Sequence, residues 1–259
     1  MTEKYRHDVT GACLTIWNCN AAMRNALSQS YYDGLMRGLE RAARDPEIAA
    51  VVLAGEGGFF CSGGDLNTLR LRREMSEAER QAQIEKLSDI IRAIKACPKP
   101  VIAAVEGGAA GAGLSIAMAC DIVVAAESAR FTLAYVRAGL VPDGGATYSL
   151  MQAMPRATVA RMAMMAEPLS ADRMYTLGAV TEVVPDSRVV EAAQDMAGQL
   201  GKGPEQAIAA IKDLLNSAES ATLAQQLDAE RDAMAKALGG DEAQIGIKAF
   251  LNKETPVFR

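Results

Sequence analysis

The sequence of 259 residues contains a single histidine, His7, which lies close to the N-terminus. A Ser–His–Asp or Cys–His arrangement needs a histidine as the base beside its nucleophile, and a histidine-rich metal site needs more than one. One histidine near an exposed terminus meets neither requirement. The sequence therefore excludes these classes of site, and we expect no bound metal.

Paired cysteines, long apolar runs and an excess of positive charge are also missing. The five cysteines are odd in number and form no CxxC pair, so most are expected to be reduced core residues. No apolar run reaches the length of a membrane span, and the N-terminal MTEKYRHDV lacks the apolar stretch of a signal peptide. The net charge of −5 argues against nucleic acid or an anionic membrane as the main partner. We expect a cytoplasmic protein.

Two glycine-rich turns, FCSGGDL at 60–66 and GGAAGAG at 107–113, each follow an apolar, strand-like stretch. The second turn leads into LSIAMAC, which is apolar on every side and therefore predicts a buried helix. The unpaired N–H groups and the positive dipole end at the start of such a helix can face a ligand oxygen. Glycine lets the main chain approach closely. One N–H group from each turn would form an oxyanion hole.

A simpler interpretation of each glycine-rich stretch is a tight turn without function. Two other glycine motifs can be excluded. The second turn has the order GxxGxG and not the GxGxxG of a dinucleotide-binding fingerprint, and the GxxxxGK[ST] of a phosphate-binding loop is absent.

The order of elements predicts an α/β core followed by helices only. Strands are expected over 8–19, 49–55, 100–107, 121–127, 129–135 and 179–185. Helices are expected from Ser28 or Ser30 to Asp45, over the charged region 66–95, and from about Gly144. Four more are expected within 187–252. We divide the chain into a core at 1–195 that holds the active site and a C-terminal helical region at 196–259.

The two glycine motifs and the terminal AFLNKETPVF resemble the crotonase superfamily of enoyl-CoA hydratases and isomerases, in order and at normal spacing along essentially the whole chain. The resemblance implies a spiral of ββα repeats. It also implies a C-terminal helical region that packs against neighbouring subunits, in a homotrimer or a dimer of trimers. The ligand implied is an acyl-CoA thioester, whose coenzyme A belongs to the substrate, so no separate cofactor is expected.

Carried over by position, the resemblance makes the main-chain N–H groups of Gly64 and Ala112 the donors of the oxyanion hole. It places a single catalytic acid at Asp143. The residues expected to contact the substrate or its CoA are Arg24, Ser62, Asp65, Leu66, Ser115, Tyr135, Phe250 and Lys253. Phe250 and Lys253 match a terminal motif that usually reaches the nucleotide from a neighbouring subunit.

The sequence departs from the hydratases of this superfamily at both of their glutamates. Ser115 and Tyr135 stand at those positions, so neither carboxylate that would serve water addition is present. Asp143 matches the acid of superfamily isomerases, and the apolar Leu140 and Val141 beside it would raise its pKa by desolvation. The alternative interpretation is that Asp143 caps the following helix, because Pro-Asp-Gly is a strong turn sequence.

Four functions remain open from the sequence. The first is an enoyl-CoA isomerase that uses Asp143. The second is a hydratase in which Glu106 or Tyr135 assists Asp143. The third is an aryl-CoA dehalogenase, which would need a histidine that this chain does not supply. The fourth is an acyl-CoA-binding protein without catalytic activity.

Overall fold

The computed structural model describes residues 3–258. Over that range the chain forms nine strands and eleven α-helices, joined by loops and short 3-10 turns. The strands are β1 (Tyr5–Thr10), β2 (Cys13–Asn18), β3 (Ala50–Gly55), β4 (Val101–Val105), β5 (Gly108–Ala110), β6 (Ile122–Ala126), β7 (Arg130–Thr132), β8 (Leu169–Ser170) and β9 (Glu182–Val184). The helices are α1 (Gln29–Arg44), α2 (Leu66–Arg72), α3 (Glu77–Ala96), α4 (Ala112–Ala119), α5 (Ala146–Ala153), α6 (Arg156–Met165), α7 (Ala171–Thr176), α8 (Val189–Leu200), α9 (Glu205–Ala218), α10 (Leu223–Leu238) and α11 (Asp241–Asn252).

A six-stranded sheet with the order β1-β2-β3-β4-β6-β9 forms the centre of the molecule. Only the β1–β2 pair is antiparallel, and the other neighbours in this sheet run parallel. All residues of β3 and β4 are buried, as expected for parallel strands covered on both faces. Helices α1 and α8 pack against this sheet.

A second layer consists of short strands, in which β5 and β7 are parallel and β8 is antiparallel to β7. Its sheet has the order β5-β7-β8. Isolated bridges join Leu27 to Gly64 and Cys61 to Ala109, which extends the layer past the two glycine-rich turns. The strand, strand, helix order recurs in β4–β5–α4 and β6–β7–α5. In each repeat, the first strand leads into a short strand of the second layer, and a helix follows.

Several predicted elements are confirmed. Ser28, and not Ser30, caps α1 by accepting a hydrogen bond from the Tyr31 N–H group at 3.2 Å. The apolar face of α1 is buried at Leu35, Leu39 and Ala42. Helix α4 is buried almost throughout, as its all-apolar sequence predicted.

Three predicted elements were wrong in extent. The single strand at 8–19 is a hairpin of β1 and β2, because Gly11 takes a left-handed turn at φ 56°. The helical region at 66–95 divides into α2 and α3, because Ser76 and Glu79 form a capping box that starts a new helix. The strand at 129–135 ends early, and a 3-10 turn follows it at Ala134–Ala138.

The C-terminal helices α9, α10 and α11 bury few of their residues in this chain. Their exposed large apolar residues are Ile211, Leu215, Leu223, Leu227, Met234, Leu238, Ile245, Ile247, Phe250 and Leu251. Helix α8, by contrast, buries Val189, Ala193 and Ala197 against the sheet. The predicted boundary between residues 195 and 196 falls inside α8, and the division of the chain itself remains a prediction.

The five cysteines are free thiols. No helix within residues 3–258 is long and apolar enough to cross a membrane.

Candidate active site

The two glycine-rich turns lie side by side. The main chain of Cys61 in the first turn accepts a hydrogen bond from the Ala110 N–H group at 2.9 Å. The two turns approach each other so closely that only glycine fits at two of their positions. A Cβ atom added to Gly63 would lie 2.7 Å from the Ala110 carbonyl oxygen and 3.2 Å from the Ala112 nitrogen, and one added to Gly113 would lie 2.5 Å from the Cys61 carbonyl oxygen. Any side chain at these two glycines would push the turns apart.

Gly64 and Ala112 line one cavity of about 410 Å³. No main-chain carbonyl within residues 3–258 accepts a hydrogen bond from the N–H group of either residue. Ala112 is also the first residue of the buried helix α4, where N–H groups are unpaired and the helix dipole is positive. The two amides predicted as a pair therefore belong to residues of the same cavity wall, and neither donates to a main-chain carbonyl within residues 3–258.

Asp143 lines the same cavity, half-buried. It precedes α5, but that helix begins after Gly145 and has no side-chain cap. Asp143 contributes its main-chain carbonyl oxygen to the turn, which accepts from the Ala146 N–H group at 3.3 Å. The alternative interpretation of Asp143 as a helix cap is therefore wrong, and the carboxylate is left for the cavity.

The Asp143 carboxylate is held by Tyr135, whose hydroxyl donates to Asp143 Oδ1 at 2.7 Å. Burial raises the pKa of Asp143 above its ordinary value, while the Tyr135 hydrogen bond and the charge of Arg72 oppose that rise. Burial and the nearby Asp143 charge raise the pKa of Tyr135 well above its ordinary range. Tyr135 therefore stays protonated and remains the donor.

Ser115 lies behind this pair and is fully buried on α4. Its hydroxyl donates to the Asp143 main-chain carbonyl at 2.9 Å and lies 3.3 Å from the Tyr135 hydroxyl. We call Ser115, Tyr135 and Asp143 the acid network. The predicted direct contact of Ser115 with substrate is not supported, because Ser115 is absent from the cavity wall among the described residues. Its hydroxyl instead fixes the loop that carries the carboxylate.

Three more predicted contact residues, Ser62, Asp65 and Leu66, line the cavity. The Asp65 carboxylate is already engaged as the cap of α2, where it accepts from the Asn67 N–H group at 2.9 Å and the Thr68 hydroxyl at 3.0 Å. Ser62 donates to the Met23 carbonyl at 3.1 Å. Their side chains therefore fix the first turn at the edge of the cavity.

Arg24, Phe250 and Lys253 do not reach this cavity within one chain. Arg24 lies next to the first turn, since its carbonyl accepts from the Ser62 N–H group at 3.0 Å, and its guanidinium stacks on the Phe59 ring at 5.9 Å. Phe250 is 84% exposed, and Lys253 ends α11 in a left-handed conformation. The structure of a single chain therefore leaves the predicted nucleotide contacts at the surface.

Glu106, the predicted helper of a hydratase, is also absent from the described wall of the cavity. Burial and the charge of Asp186 raise its pKa. Cys61 packs beside the first turn, and complete burial raises the pKa of its thiol to about 12. Among the described residues, neither of these two side chains lines the cavity that holds Asp143.

Sequence reasoning missed several residues of the cavity wall, among them the polar Tyr32, Arg72 and Gln83. A signal for Arg72 was present, because Asp65, Leu69 and Arg72 follow the spacing of one helix face. Tyr32 follows the cap of α1 by one turn. Burial raises its pKa, and the charge of Asp143 adds to the effect.

A larger cavity of about 850 Å³ lies among the C-terminal helices. Its walls are mainly alanines and other small residues of α9, α10 and α11, together with Phe258. It contains none of the predicted site residues. The chemically distinctive side chains gather in the smaller cavity.

Comparisons with known proteins agree on one family. The family model described as enoyl-CoA hydratase/isomerase matches residues 13–259. The 1,2-epoxyphenylacetyl-CoA isomerase of Escherichia coli is 36% identical over 235 residues, which are 90% of this chain and 90% of the relative. The 2,3-dehydroadipyl-CoA hydratase of the same species is 34% identical and is matched over 92% of this chain and 91% of its own length.

Solved structures give the same result. The crystal structure of an enoyl-CoA hydratase from Polaromonas sp. JS666 has a TM-score of 0.95 and 44% identity, with 98% of this chain and 99% of that chain covered. The related proteins carry the names of isomerases and of hydratases. The comparisons therefore do not distinguish between the two reactions.

Proposed function

The chain belongs to the enoyl-CoA hydratase/isomerase family of the crotonase superfamily, and we propose that it moves a double bond within an unsaturated acyl-CoA thioester. The crotonase-like α/β fold predicted from the sequence is confirmed by the same matches. The observation that supports isomerisation is the acid network. One carboxylate, Asp143, shares a cavity with two free amides, and the two positions that hold glutamates in superfamily hydratases are Ser115 and Tyr135.

In the proposed reaction the thioester oxygen accepts hydrogen bonds from the Gly64 and Ala112 N–H groups. Removal of a proton from the acyl chain breaks a C–H bond, and the electron pair spreads through the dienolate to that oxygen. Two preorganised donors and the positive end of α4 stabilise the charge there. Loss of one such donor costs about 3–4 kcal/mol in comparable holes.

Asp143 is the proposed acid and base. Its carboxylate takes the proton from one carbon and returns it to another carbon on the same face, so a single group completes the reaction and no water is consumed. Desolvation raises the pKa of Asp143, which makes it a better base once ionised and a usable acid once protonated. The Tyr135 hydroxyl orients the carboxylate between the two carbons.

Hydration of an enoyl-CoA is the second candidate function. The names of several relatives favour it, and the Tyr135 hydroxyl beside Asp143 offers a second group that could orient a water molecule. Adding water is best served by one group that activates the water and another that handles the carbon proton. Glu106 lies outside the described cavity wall, which argues against it as the second carboxylate.

The decisive experiment compares two variants on two substrates. Asp143→Asn keeps the shape of the side chain and removes its charge, and we expect migration of the double bond in a β,γ-unsaturated acyl-CoA to fall by about 10²–10⁴-fold. The matched control Glu106→Gln removes a neighbouring, half-buried carboxylate and should leave turnover unchanged. Calorimetric binding of the thioester should survive in both variants.

Each alternative predicts a different outcome of this experiment. Unchanged turnover by Asp143→Asn would end the isomerase proposal. Fast release of a 3-hydroxyacyl product from crotonyl-CoA by the wild type would favour hydration. Tight thioester binding with no turnover of any enoyl-CoA or dienoyl-CoA would favour a non-catalytic binding protein.

We also propose that the chain assembles as a homotrimer or a dimer of trimers through its C-terminal helices. The exposed apolar residues of α9, α10 and α11 support this proposal. So does the position of Phe250 and Lys253, which need a neighbouring subunit to approach a bound nucleotide. Light scattering should give three or six times the chain mass of 27.4 kDa. A monomer at micromolar concentration would contradict the proposal.

A further inference from the structure

The cavity that holds Asp143 adjoins a second cavity of about 460 Å³, and the two share part of their walls. The second cavity extends between α2 and the segment before α1, where Lys4 and Asn20 contribute to its wall. Gly64, Ala112 and Asp143 line only the first cavity. The space in which we place the reaction therefore continues beyond the reacting groups.

Three polar side chains, Tyr32, Arg72 and Gln83, stand where the two cavities meet. We call them the polar junction. Each is half-buried, and within residues 3–258 none of their side-chain polar groups has a hydrogen bond or an ion pair. The carboxylate on the same wall, Asp65, is occupied by its cap of α2. The polar junction thus holds one unpaired positive charge and two groups that can donate hydrogen bonds.

Much of the remaining wall of the first cavity is apolar. It includes Leu69, Ile84, Leu87, Leu140 and Val141, and none of them lines the second cavity. An acyl chain whose thioester lies at the two amides and whose far end points toward the second cavity would contact these apolar side chains and end near Arg72, where the two cavities meet. Such a wall favours methylene groups, whereas the junction beyond it does not favour a methyl end.

From the apolar wall of the first cavity and the unpaired Arg72 where it meets the second, we infer that the polar junction binds a carboxylate at the far end of the acyl group, with Arg72 as the specificity-determining residue. The substrate class is an unsaturated acyl-CoA whose acyl chain ends in a carboxylate. This inference rests on the proposed function, because it assumes that the thioester lies between Gly64 and Ala112.

The chemistry of Arg72 fits this ligand. A guanidinium presents several N–H donors in a planar fork that matches a carboxylate, and the Tyr32 hydroxyl and Gln83 amide could donate to the same group. Arg72 is also close enough to Asp143 for its charge to oppose the rise in the Asp143 pKa. The phosphates of CoA are separated from the thioester by the long pantetheine arm, so an anion of the acyl group is the better match.

The experiment uses two β,γ-unsaturated acyl-CoA thioesters of equal chain length, one ending in a methyl group and the other in a carboxylate, over a series of lengths. The measured quantity is the ratio of kcat/KM for the carboxylate substrate to kcat/KM for the methyl substrate. Any effect of Arg72 on Asp143 or on CoA is common to both substrates and cancels in this ratio.

We expect the wild-type ratio to be about 10 to 100 at the best chain length. This range corresponds to the free energy of hydrogen bonds to a charged group. Arg72→Gln should bring the ratio close to one, and Arg72→Lys should keep part of it. The matched control is Arg70→Gln, which removes the same charge from the same helix at a position that lines neither cavity. This control should keep the wild-type ratio.

Two outcomes would overturn the inference: a wild-type ratio near one at every length, or an Arg72→Gln ratio equal to that of the wild type. Saturated thioesters of the same pair provide dissociation constants without turnover. If neither unsaturated thioester reacts, the proposed isomerisation fails, while the ratio of these dissociation constants still decides whether Arg72 binds the carboxylate.

Discussion

Substitution of Tyr135 by phenylalanine tests the acid network more directly than any other change in this chain. Tyr135→Phe removes the hydroxyl that donates to Asp143 Oδ1 at 2.7 Å and leaves the ring in the cavity wall. In the wild type, burial raises the pKa of Asp143 and this hydrogen bond opposes the rise. Without the hydroxyl, desolvation acts with less opposition, so the pKa of Asp143 moves further upward.

The size of the effect follows from the strength of the lost bond. A hydrogen bond to a charged group contributes about 1.5–3 kcal/mol, and the half-exposed position of Asp143 favours the lower end of this range. Since about 1.4 kcal/mol corresponds to a tenfold change in ionisation, the ionised fraction at acidic pH should fall about tenfold. At pH values well above the pKa, Asp143 is ionised in both proteins, and only the loss of orientation remains.

The assay is the pH dependence of kcat/KM for double-bond migration, which reports the pKa of the essential base in the free enzyme. We expect the acidic limb of the Tyr135→Phe profile to move to higher pH, with about tenfold lower activity on that limb. Tyr148→Phe removes an exposed hydroxyl that donates to the Glu219 carbonyl and serves as the control, with an unchanged profile. An acidic limb that stays in place, or moves to lower pH, would refute the reasoning.

Two further predictions concern the scaffold of the site. Gly113→Ala would place a Cβ atom 2.5 Å from the Cys61 carbonyl oxygen. We expect chemical denaturation to show a loss of about 1–3 kcal/mol in the free energy of unfolding, together with lower turnover. The control, Gly198→Ala, places its Cβ atom where no atom lies within 4 Å and should be neutral or stabilising. A Gly113→Ala variant as stable and active as the wild type would show that the turns can separate freely. Lys212→Met would remove the 2.7 Å ion pair between the buried Lys212 and the more exposed Asp121, and should cost about 1–3 kcal/mol of the free energy of unfolding. A change below about 0.5 kcal/mol would show that this pair does not hold α9 to the core.

Much of the fold could be predicted because its determinants are local. The buried strands are continuous apolar runs, α1 begins at a serine cap, and α4 is apolar on every side. The errors in the extent of elements arose where one sequence pattern is compatible with more than one local structure. A run of alternating residues at 8–19 gave no indication that a left-handed Gly11 would fold it into a hairpin. The charged helical pattern at 66–95 continued through the cap at Ser76 that separates α2 from α3.

The site was only partly predictable. Gly64, Ala112 and Asp143 could be identified in advance because each stands in a recognisable motif, and the structure brings all three to one cavity. Tyr32 and Arg72 were missed because residues on α1 and α2 meet only after the chain has folded. The side-chain directions of Ser115 and Asp65 were equally hidden. The Ser115 side chain points into the protein and donates to the Asp143 carbonyl, whereas the Asp65 side chain caps α2.

By itself the sequence argued against histidine-based catalysis, and it indicated the order of the elements and the two turns where a ligand oxygen could bind. These properties depend on residue type and on neighbours within a few positions of the chain. Only the tertiary structure decided that Asp143 faces a cavity instead of capping α5, and that Tyr135 and Ser115 hold it there. Such an outcome depends on distances between residues that are remote in sequence, and these distances are fixed only when the strands and helices pack together.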